Sequence, residues 1–314
     1  MGAYIAKRVM LSFATLLAVL FILFMLMDLM PGSPFNDEKQ TPEQIARSIA
    51  LYGLDKPWPA RFGRYALNML TGNFGVSYVI SKNIPVTDLL KTRFAVSARI
   101  GLQAVALGAS LGVLLGVASA IRHNTLLDRA CALVSVIGIS IPSYVFALTL
   151  SYAAGFKLGW FPLLYQPKQA IASSVLPTVA LSLGPMASLA RFSRAEMLDA
   201  MDSDYIQLAK SKGVHGPRLI ASHMLRNAMI PIVTVLAPLV VGLMTGSLVI
   251  EKIFSVPGIG SLLITAIQSN DYNVAITLSF IYCAMYIGFM LIVDILYGVI
   301  DPRIRLVKEA GFHD

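Results

Sequence analysis

Long apolar segments separated by shorter polar ones dominate the hydrophobic pattern of this chain of 314 residues. A helix rises about 1.5 Å per residue, so roughly 20 apolar residues are needed to cross the hydrocarbon core of a membrane. Six segments have this length and contain no charged residue, which predicts an all-α integral membrane protein with six transmembrane helices. The predicted spans are residues 9–27, 100–121, 130–156, 170–190, 227–250 and 274–293.

The composition also points to lipid as the solvent of this chain. Hydrophobic residues make up 56% of the sequence and charged residues only 13%, which is more apolar surface than a soluble domain of this length can bury. The formal net charge is +8, but lysine and arginine lie between the apolar segments and form no dense basic stripe. We therefore predict a protein that contacts membrane lipid and binds no nucleic acid.

The basic residues are distributed unequally between the two sides of the predicted membrane domain. Six spans place both termini on one side, and short cytoplasmic loops carry an excess of lysine and arginine. One side carries Lys7, Arg8, Arg122, Arg129, Arg191, Arg194, Lys210, Lys212, Arg218, Arg226, Arg303, Arg305 and Lys308. The short loops of the other side carry only Lys157, Lys168 and Lys252, so both termini are predicted to be cytoplasmic.

The stretch between the first two spans is long for a simple loop. Pro42 is a helix-start signal, and apolar residues recur at helical spacing over residues 45–52 and 62–70, which predicts a small ordered outer cap. We expect the first span to remain uncleaved, because Asp28-Leu-Met-Pro31 offers no small-residue cleavage site. The predicted regions are the N-terminus with the first span (1–30), the cap (31–99), the transmembrane core (100–300) with a cytoplasmic loop (191–227), and a cytoplasmic tail (301–314).

Small residues and prolines in the spans predict how the helices pack. In the second span small residues recur every four positions, so one helix face has almost no side chains and a neighbouring helix can approach closely. Prolines remove backbone donors inside spans and predict kinked helices that suit the lining of a pathway. General tolerance of glycine in membranes and ordinary structural kinks are the alternative interpretations. The residues concerned are Gly108, Gly112 and Gly116, and Pro142, Pro185 and Pro238.

One ionisable residue, Asp294, lies in the apolar sequence that ends the sixth span. A charge in a membrane is costly, so Asp294 is either a proton or substrate site or one half of an ion pair. We favour an ion pair with a cytoplasmic-end arginine such as Arg191 or Arg194. Asp28 and Glu251 lie at the outer ends of their spans, where solvation is easy, and we assign them no chemical role.

Cysteine and histidine indicate neither a disulfide framework nor a metal site. Cys131 and Cys283 lie in apolar segments and are predicted to be packing residues. The histidines share no ligand spacing, so helix ends or interfaces are their expected positions. They are His123, His215, His223 and His313.

The polar stretch between the fourth and fifth spans predicts two short helices joined by a turn. Asp204 can cap a helix start and forms a capping-box pattern with Gln207, while Gly213 suits the helix end. Pro217 suits the first turn of the next helix. Two capped amphipathic helices of mixed charge indicate an element that docks a partner. The predicted apolar stripes are Leu198, Met201, Tyr205 and Leu208 on the first helix, and Leu219, Ile220, His223 and Asn227 on the second.

These two helices resemble the cytoplasmic motif of the permeases of ABC importers. In that motif Glu-Ala-Ala is followed three residues later by Gly and, nine residues further on, by Ile-x-Leu-Pro. The segments Asp204-Tyr-Ile-x-x-Ala-Lys-x-Lys-Gly213 and His223-x-Leu-Arg-Asn-Ala228 have the form that the motif takes in the peptide permease branch. Aligned on Gly213, the corresponding residues are Gln207, Leu208, Ala209, His223, Leu225 and Arg226.

Five further segments resemble the first permease component of oligopeptide and dipeptide importers, and the resemblance runs essentially from end to end. It implies the type I ABC importer permease fold and a place in the cell membrane of a bacterium. The segments are residues 30–35, 51–57, 72–75, 246–260 and 293–305.

The resemblance implies a transport subunit rather than an enzyme, with no cofactor of its own. The sequence has no Gly-x-x-x-x-Gly-Lys-[Ser/Thr] phosphate loop, so ATP and magnesium are expected on two cytoplasmic ATPase subunits. A sister permease subunit, forming a heterodimer, and an extracytoplasmic peptide-binding protein are the other expected partners. The residues expected to couple to the ATPase are Asp204, Tyr205, Ile206, Gln207, Ala209, Lys210, Lys212, Gly213, His223, Leu225 and Asn227.

The resemblance also implies that the outer cap and the loop at 252–271 receive the binding protein; a cap that only stabilises the spans is the alternative. The family includes nickel importers, so nickel is an alternative substrate. A secondary transporter driven by an ion gradient would need charged residues near the membrane midplane and a repeat between the halves, and the sequence shows neither. A membrane-embedded enzyme would need a convergent nucleophile, base or metal cluster, and the spans contain only isolated Ser, Tyr and Cys.

Overall fold

The computed structural model describes residues 2–29, 43, 56–244 and 246–300 of the chain. The predicted tail at 301–314, with His313, and the cap residues 31–42 and 44–55 lie outside the described residues. The α-helices are α1 (Gly2–Leu29), α2 (Trp58–Leu70), α3 (Val86–Ile121), α4 (Leu126–Ser140), α5 (Ser143–Leu150), α6 (Ala170–Met201), α7 (Asp204–Ser211), α8 (Gly216–Leu219), α9 (Arg226–Met244), α10 (Leu248–Ile253), α11 (Ile259–Gln268) and α12 (Tyr272–Ile300). A π-helical turn at Ser151–Lys157 follows α5, and a second π-helical segment, Ile220–Leu225, joins α8 to α9.

Five helical segments are long and apolar enough to cross a membrane, and a bent helix pair supplies a sixth span if it is counted as one. These six match the predicted apolar segments one by one. The five are Ile5–Leu26, Val86–Ile121, Pro167–Met201, Gly216–Ile253 and Tyr272–Ile295, and the bent pair is Leu126–Ser140 with Ser143–Lys157.

The structure corrects the bounds of three predicted spans. Helix α3 begins at Val86 instead of residue 100, α6 continues past residue 190 to Met201, and the fifth predicted span is divided between α9 and α10. A search for uncharged runs could not find the added turns, because a helix that leaves the hydrocarbon core no longer needs apolar residues.

The third predicted span is broken and not merely kinked. The axes of the two helical pieces before and after Pro142 differ by 100°. Pro142 is the N-cap of α5, so its missing N–H falls at a helix start, where no intrahelical acceptor is available in any case. Other helices continue through their prolines: α6 through Pro177 and Pro185, and α9 through Pro231 and Pro238.

Contacts divide the chain into two compact units, of which the first comprises Met1–Phe94 and Leu262–Asp314. Within it α1 packs along α12, and α2 packs against α1. Leu20 and Phe24 of α1 are fully buried in this contact, together with Met69 of α2 and Phe280 of α12. The Phe62 ring lies edge-on to Phe21, with centroids 5.4 Å apart, which agrees with the helical spacing predicted for the residues of α2.

Asp294 of α12 forms an ion pair with Arg8 of α1, with 2.5 Å between Arg8 Nη2 and Asp294 Oδ2. The structure therefore gives Asp294 a basic partner, but the predicted partners, Arg191 or Arg194, are wrong. The first and last long helices of the chain are neighbours, and this adjacency leaves no trace in the sequence.

The carboxylate of Asp271 ties the outer loop before α3 to the start of α12 within the first unit. Asp271 is fully buried and accepts a hydrogen bond from Ser77 Oγ at 2.5 Å. It also accepts from the backbone N–H groups of Tyr78, Val79 and Ile80 at 3.0 to 3.2 Å. Together these donors occupy both carboxylate oxygens, so the loop is fixed by side-chain capping in place of regular secondary structure.

The second unit, Ala95–Ser261, is built around the close approach of α3 and α6. A Cβ atom on Gly108 would lie 2.7 Å from the carbonyl oxygen of Ser182, and one on Gly112 would lie 2.6 Å from that of Met186. Gly116 faces Ala190 in the same way. The glycine row of α3 is thus in contact with the backbone of α6, as a row of small residues allows.

We predict that Gly112→Ala destabilises the protein by about 1–3 kcal/mol, because the new methyl group overlaps the backbone of α6. Gly184→Ala is the matched control, since a Cβ on Gly184 of α6 would meet nothing within 4 Å. Thermal unfolding of the purified protein in mild detergent measures both variants. Equal melting temperatures for the two would contradict the close packing of α3 on α6.

Candidate functional site

The cytoplasmic loop predicted from the sequence is in the structure a continuous chain of short helices on the second unit. Helix α6 ends at Met201, α7 follows after a two-residue turn, and α8 passes through the π-helical segment directly into α9. Arg191 and Arg194, which the sequence analysis placed in the loop, are part of α6. The loop proper is therefore residues 202–225.

The start of α7 differs by one residue from the predicted capping box. Ser203 is the N-cap residue, and its side chain donates back to the carbonyl oxygen of Ala200 at 2.5 Å instead of capping the helix. Asp204 occupies the first helical position, where its negative charge interacts favourably with the partial positive charge of the unpaired N–H groups of the first turn. Gln207 and Asp204 do not form the predicted capping box, because Asp204 is already inside the helix and Ser203 takes the N-cap position.

The end of α7 is fixed by Gly213, which has a φ of +84°. The N–H of Gly213 donates to the Lys210 carbonyl at 3.0 Å, and the N–H of Val214 donates to the Ala209 carbonyl at 3.1 Å. This is the hydrogen-bond pattern of a Schellman motif, which needs a residue that tolerates the left-handed conformation. Gly213 thus ends the helix as the sequence predicts, and Pro217 lies in the first turn of α8.

The buried face of α7 is not the stripe predicted from the sequence. Ile206 and Ala209 are buried, at 0% and 6% exposure, while Tyr205 and Leu208 are 41% and 56% exposed. The predicted stripe ran from Leu198 through Tyr205 at one helical period, but the turn at residues 202–203 interrupts that period and rotates α7. Two large apolar side chains of α7, Tyr205 and Leu208, therefore point away from the core of the second unit.

The π-helical segment Ile220–Leu225 causes a similar shift in the second part of the loop. Each π turn contains more residues than an α turn, so the buried positions move along the sequence. Met224 and Ala228 are buried, whereas His223 is half-buried and Asn227 is exposed. The predicted stripe is confirmed only at Leu219 and Ile220, which pack into the core.

That core attaches the loop to the ends of the long helices of the second unit. Ile206, Ala209 and Leu219 share one cluster of buried side chains with Leu189 and Met197 of α6. Further members of the cluster are Ala120 of α3 and Met224, Ala228 and Ile232. A force on the exposed face of α7 would thus reach α3, α6 and α9 through packed side chains.

Charge on the loop is separated by sign along the chain. The acidic residues lie before α7 or in its first turn, and the basic residues lie in its last turn or after it. This order agrees with the direction of the helix dipole. All of them are exposed. They are Asp199, Asp202 and Asp204 on the acidic side, and Lys210, Lys212 and Arg218 on the basic side.

In the last turns of α6, which lead into the loop, the structure shows an ion pair that the sequence analysis missed. Arg194 of α6 holds Asp128 of α4, with Nε to Oδ1 at 2.7 Å and Nη2 to Oδ2 at 2.9 Å. The sequence analysis gave Arg194 a different partner and overlooked Asp128, because Asp128 lies just outside the uncharged run that defined the third span. A carboxylate at the edge of an apolar run was the available signal.

Glu251, which lies in α10 just after α9, corrects a second expectation. It is 4% exposed, so it is not solvated as the sequence analysis expected. Its carboxylate accepts from Ser97 Oγ and from the N–H of Ser261, both at 2.7 Å. A side chain at Gly246 or Gly258 would collide with this carboxylate, which accounts for glycine at both positions.

Within the described ranges, no group of three or more His, Cys, Asp or Glu residues could hold a metal ion. Cys131 and Cys283 are free thiols and both are half-buried.

The arrangement of long apolar helices with short helices at their ends resembles a solved structure. A solved amino acid ABC transporter, crystallised with histidines, superposes with a TM-score of 0.54, covering 67% of this chain and 93% of that one. The two sequences are only 16% identical, so the likeness shows the fold alone. It confirms the predicted fold class.

The chain belongs to the family of inner membrane components of binding-protein-dependent transport systems, whose model matches residues 112–306. Members of this family are membrane subunits and not enzymes, and membership implies ATPase and substrate-binding partners in general terms. The matched residues include the whole loop, the ion pair below it and the segment around Glu251.

Relatives extend the match to nearly the whole chain. The dipeptide transport system permease protein of Lactococcus lactis subsp. cremoris (strain MG1363) is 42% identical over 98% of this chain and 100% of its own length. That of Bacillus subtilis (strain 168) is 38% identical over 99% and 100%. The oligopeptide transport system permease protein of Escherichia coli (strain K12) is 37% identical over 96% and 99%. The resemblance to peptide permeases stated from the motifs is confirmed.

We predict that Gly213→Val weakens the end of α7 by about 1–2 kcal/mol, because a β-branched residue is strained at positive φ. Gly213→Asn is the matched control, since asparagine tolerates this conformation better. Amide hydrogen exchange of residues 206–214 reports local opening directly. Equal exchange rates in the two variants would show that the cap contributes nothing to the order of the loop.

Proposed function

We propose that this chain is a transmembrane permease subunit of an ATP-driven importer that carries short peptides into the cell. The single observation that carries the proposal is the exposed apolar face of α7, Tyr205 and Leu208, on a loop whose opposite face is locked into the transmembrane helices. A subunit without a phosphate loop needs an ATPase partner, and this face is the surface that such a partner would cover.

The docking surface proposed for the ATPase subunit combines this apolar face with separated charges. Exposed aromatic and aliphatic side chains supply buried area on binding, and charged groups around them set orientation and rate of association. In the proposed complex α7 and α8 occupy a cleft of the ATPase, and movements of the ATPases are transmitted through α7 to the helices. The proposed docking residues are the exposed Asp204, Tyr205, Gln207, Lys210, Lys212, Gly213 and Asn227, with the half-buried His223 and Leu225 beside them. Ile206 and Ala209 are buried and attach α7 to the core, so their proposed role is to transmit movement and not to contact the ATPase.

The proposed assembly contains a sister permease, two ATPase subunits that bind ATP and magnesium, and an extracytoplasmic peptide-binding protein. Both termini and the loop lie on the cytoplasmic side, as the distribution of lysine and arginine indicates. Alternating access is a rigid-body rearrangement of the two permeases between states that differ in affinity for ATPases and binding protein. Pro142, Pro185 and Pro238 are the proposed pathway or kink positions.

Peptides are the proposed substrate because the relatives that match nearly the whole chain are named for dipeptides and oligopeptides. This favours peptides over nickel. The proposal is tested by reconstituting the complete complex in proteoliposomes and measuring ATP-dependent uptake of a labelled dipeptide, a labelled pentapeptide and Ni²⁺. Uptake of Ni²⁺ but of neither peptide would overturn it.

We predict that the double variant Tyr205→Ala/Leu208→Ala no longer co-purifies the ATPase subunits, while its melting temperature is unchanged. Truncating exposed apolar side chains costs little in the free subunit but removes area that the partner would cover. Co-purification from mild detergent, quantified by mass spectrometry, is the measurement.

Trp160→Ala is the matched control for this double variant. Trp160 is 67% exposed and lies between the π-helical turn at Ser151–Lys157 and the start of α6, whereas the loop follows the end of α6. It should retain the ATPase subunits. Retention of the ATPases by both variants would place the docking surface elsewhere.

A further inference from the structure

The ion pair between Asp128 and Arg194 lies where three helices of the second unit meet below the loop. Asp128 is in the first turn of α4, and Arg194 is in the last turns of α6, about 10 Å along the axis before the helix ends. Ser119 of α3 donates to Asp128 Oδ1 at 2.5 Å, so α3, α4 and α6 all contribute to one cluster.

Each oxygen of the Asp128 carboxylate accepts two hydrogen bonds. Besides Ser119 and the two nitrogens of Arg194, the backbone N–H of Asn124 donates to Oδ2 at 2.9 Å. His123 Nδ1 lies 3.3 Å from Oδ2 and 3.1 Å from Arg194 Nη2. The side chain of Asp128 is 6% exposed and that of Arg194 is 31% exposed.

A buried ion pair of this kind contributes little net stability compared with apolar residues of the same size. What it does supply is one geometry, because a bidentate guanidinium and a fully hydrogen-bonded carboxylate fit together in a single orientation. The cluster therefore fixes the angle between α4 and α6 more strictly than apolar packing would.

The glycine contact of α3 with α6 ends at the same place. A Cβ atom on Gly116 would lie 2.7 Å from Cβ of Ser193 and 2.9 Å from the N atom of Arg194. Two independent contacts thus reach the stretch of α6 that leads into the loop. The close backbone approach at Gly116 holds α3 to it, and the Asp128–Arg194 ion pair holds α4 to it.

We propose that Asp128 and Arg194 are positioning residues for transport, which make α3, α4 and α6 move as one body when an ATPase displaces the loop. This inference rests on the proposed function, because it takes the loop as the surface on which the ATPase acts. Without the pair, the loop still binds the ATPase. When the ATPase displaces the loop, however, α6 bends relative to α4 and does not carry α4 with it. ATP is then hydrolysed without movement of the broken span.

The test is the number of peptides transported per ATP hydrolysed by the complete complex in proteoliposomes. For Asp128→Asn we expect this ratio to fall severalfold, while the ATPase subunits still co-purify in normal amount. Arg194→Lys, which keeps the charge but loses the bidentate contact, should fall in between. The ratio is compared at unchanged melting temperature and equal ATPase co-purification, because a misfolded complex that hydrolyses ATP without transport would also lower it.

Arg129→Gln is the matched control, because Arg129 is the exposed neighbour of Asp128 on the same helix. It should leave the ratio unchanged. An unchanged ratio in Asp128→Asn, or a loss of ATPase co-purification together with transport, would overturn the positioning role. Failure of the unmodified complex to contain ATPase chains would overturn the proposed function itself, and this inference with it.

A second measurement does not need a charge variant to fold. Spin labels on cysteines placed at the exposed positions Leu126 of α4 and Ala195 of α6, with Cys131 and Cys283 replaced by serine, report the separation of the two helices. We expect the same distance distribution in the nucleotide-free and ATP-trapped complexes. A shift between the two states would show that α4 and α6 do not move as one body.

Discussion

Backbone N–H and C=O groups in a membrane must find partners within the protein, and this constraint shapes every irregular place in the structure. At three such places in the described residues, a buried carboxylate takes up free N–H groups. Asp271 accepts from three successive N–H groups of the outer loop, Glu251 accepts from Ser261, and Asp128 accepts from Asn124. Each carboxylate also accepts from a serine hydroxyl: Asp271 from Ser77, Glu251 from Ser97 and Asp128 from Ser119. Loop closure and helix attachment are thus achieved by the same side chain.

The same device separates rigid from exposed parts of the second unit. Below the loop, glycine contacts and the Asp128–Arg194 pair leave α3, α4 and α6 little freedom relative to one another. Above it, α7 is attached by only two fully buried positions, Ile206 and Ala209, and exposes the rest. A short helix held on one side and apolar on the other suits a subunit that receives movement from a partner. In the proposed assembly, that attachment is the route by which ATP hydrolysis on the ATPase subunits acts on the spans.

Several features were predictable because they depend on the local sequence. Apolar runs of spanning length located the five long apolar helices and the bent pair of the described residues, the four-residue glycine spacing indicated close helix packing, and Gly213 marked the end of α7 through its tolerance of positive φ. The errors share a different origin. The stripe on α7 was misassigned because the turn at residues 202–203 resets the helical period, and the second stripe was misassigned because the π-helical segment Ile220–Leu225 does the same; neither leaves a periodic signal. Glu251 was expected to be solvated because burial of a carboxylate depends on donors far away in the sequence.

The sequence by itself determined the solvent of this protein, the number of its spans and its family, because these depend on how many apolar residues follow one another and on short ordered motifs. Only the tertiary structure decided which charges pair, since Arg8 meets Asp294 and Arg194 meets Asp128 across many intervening residues. It also decided which face of α7 is exposed. Pairing and exposure depend on distances between remote segments, and such distances exist only once the helices have packed.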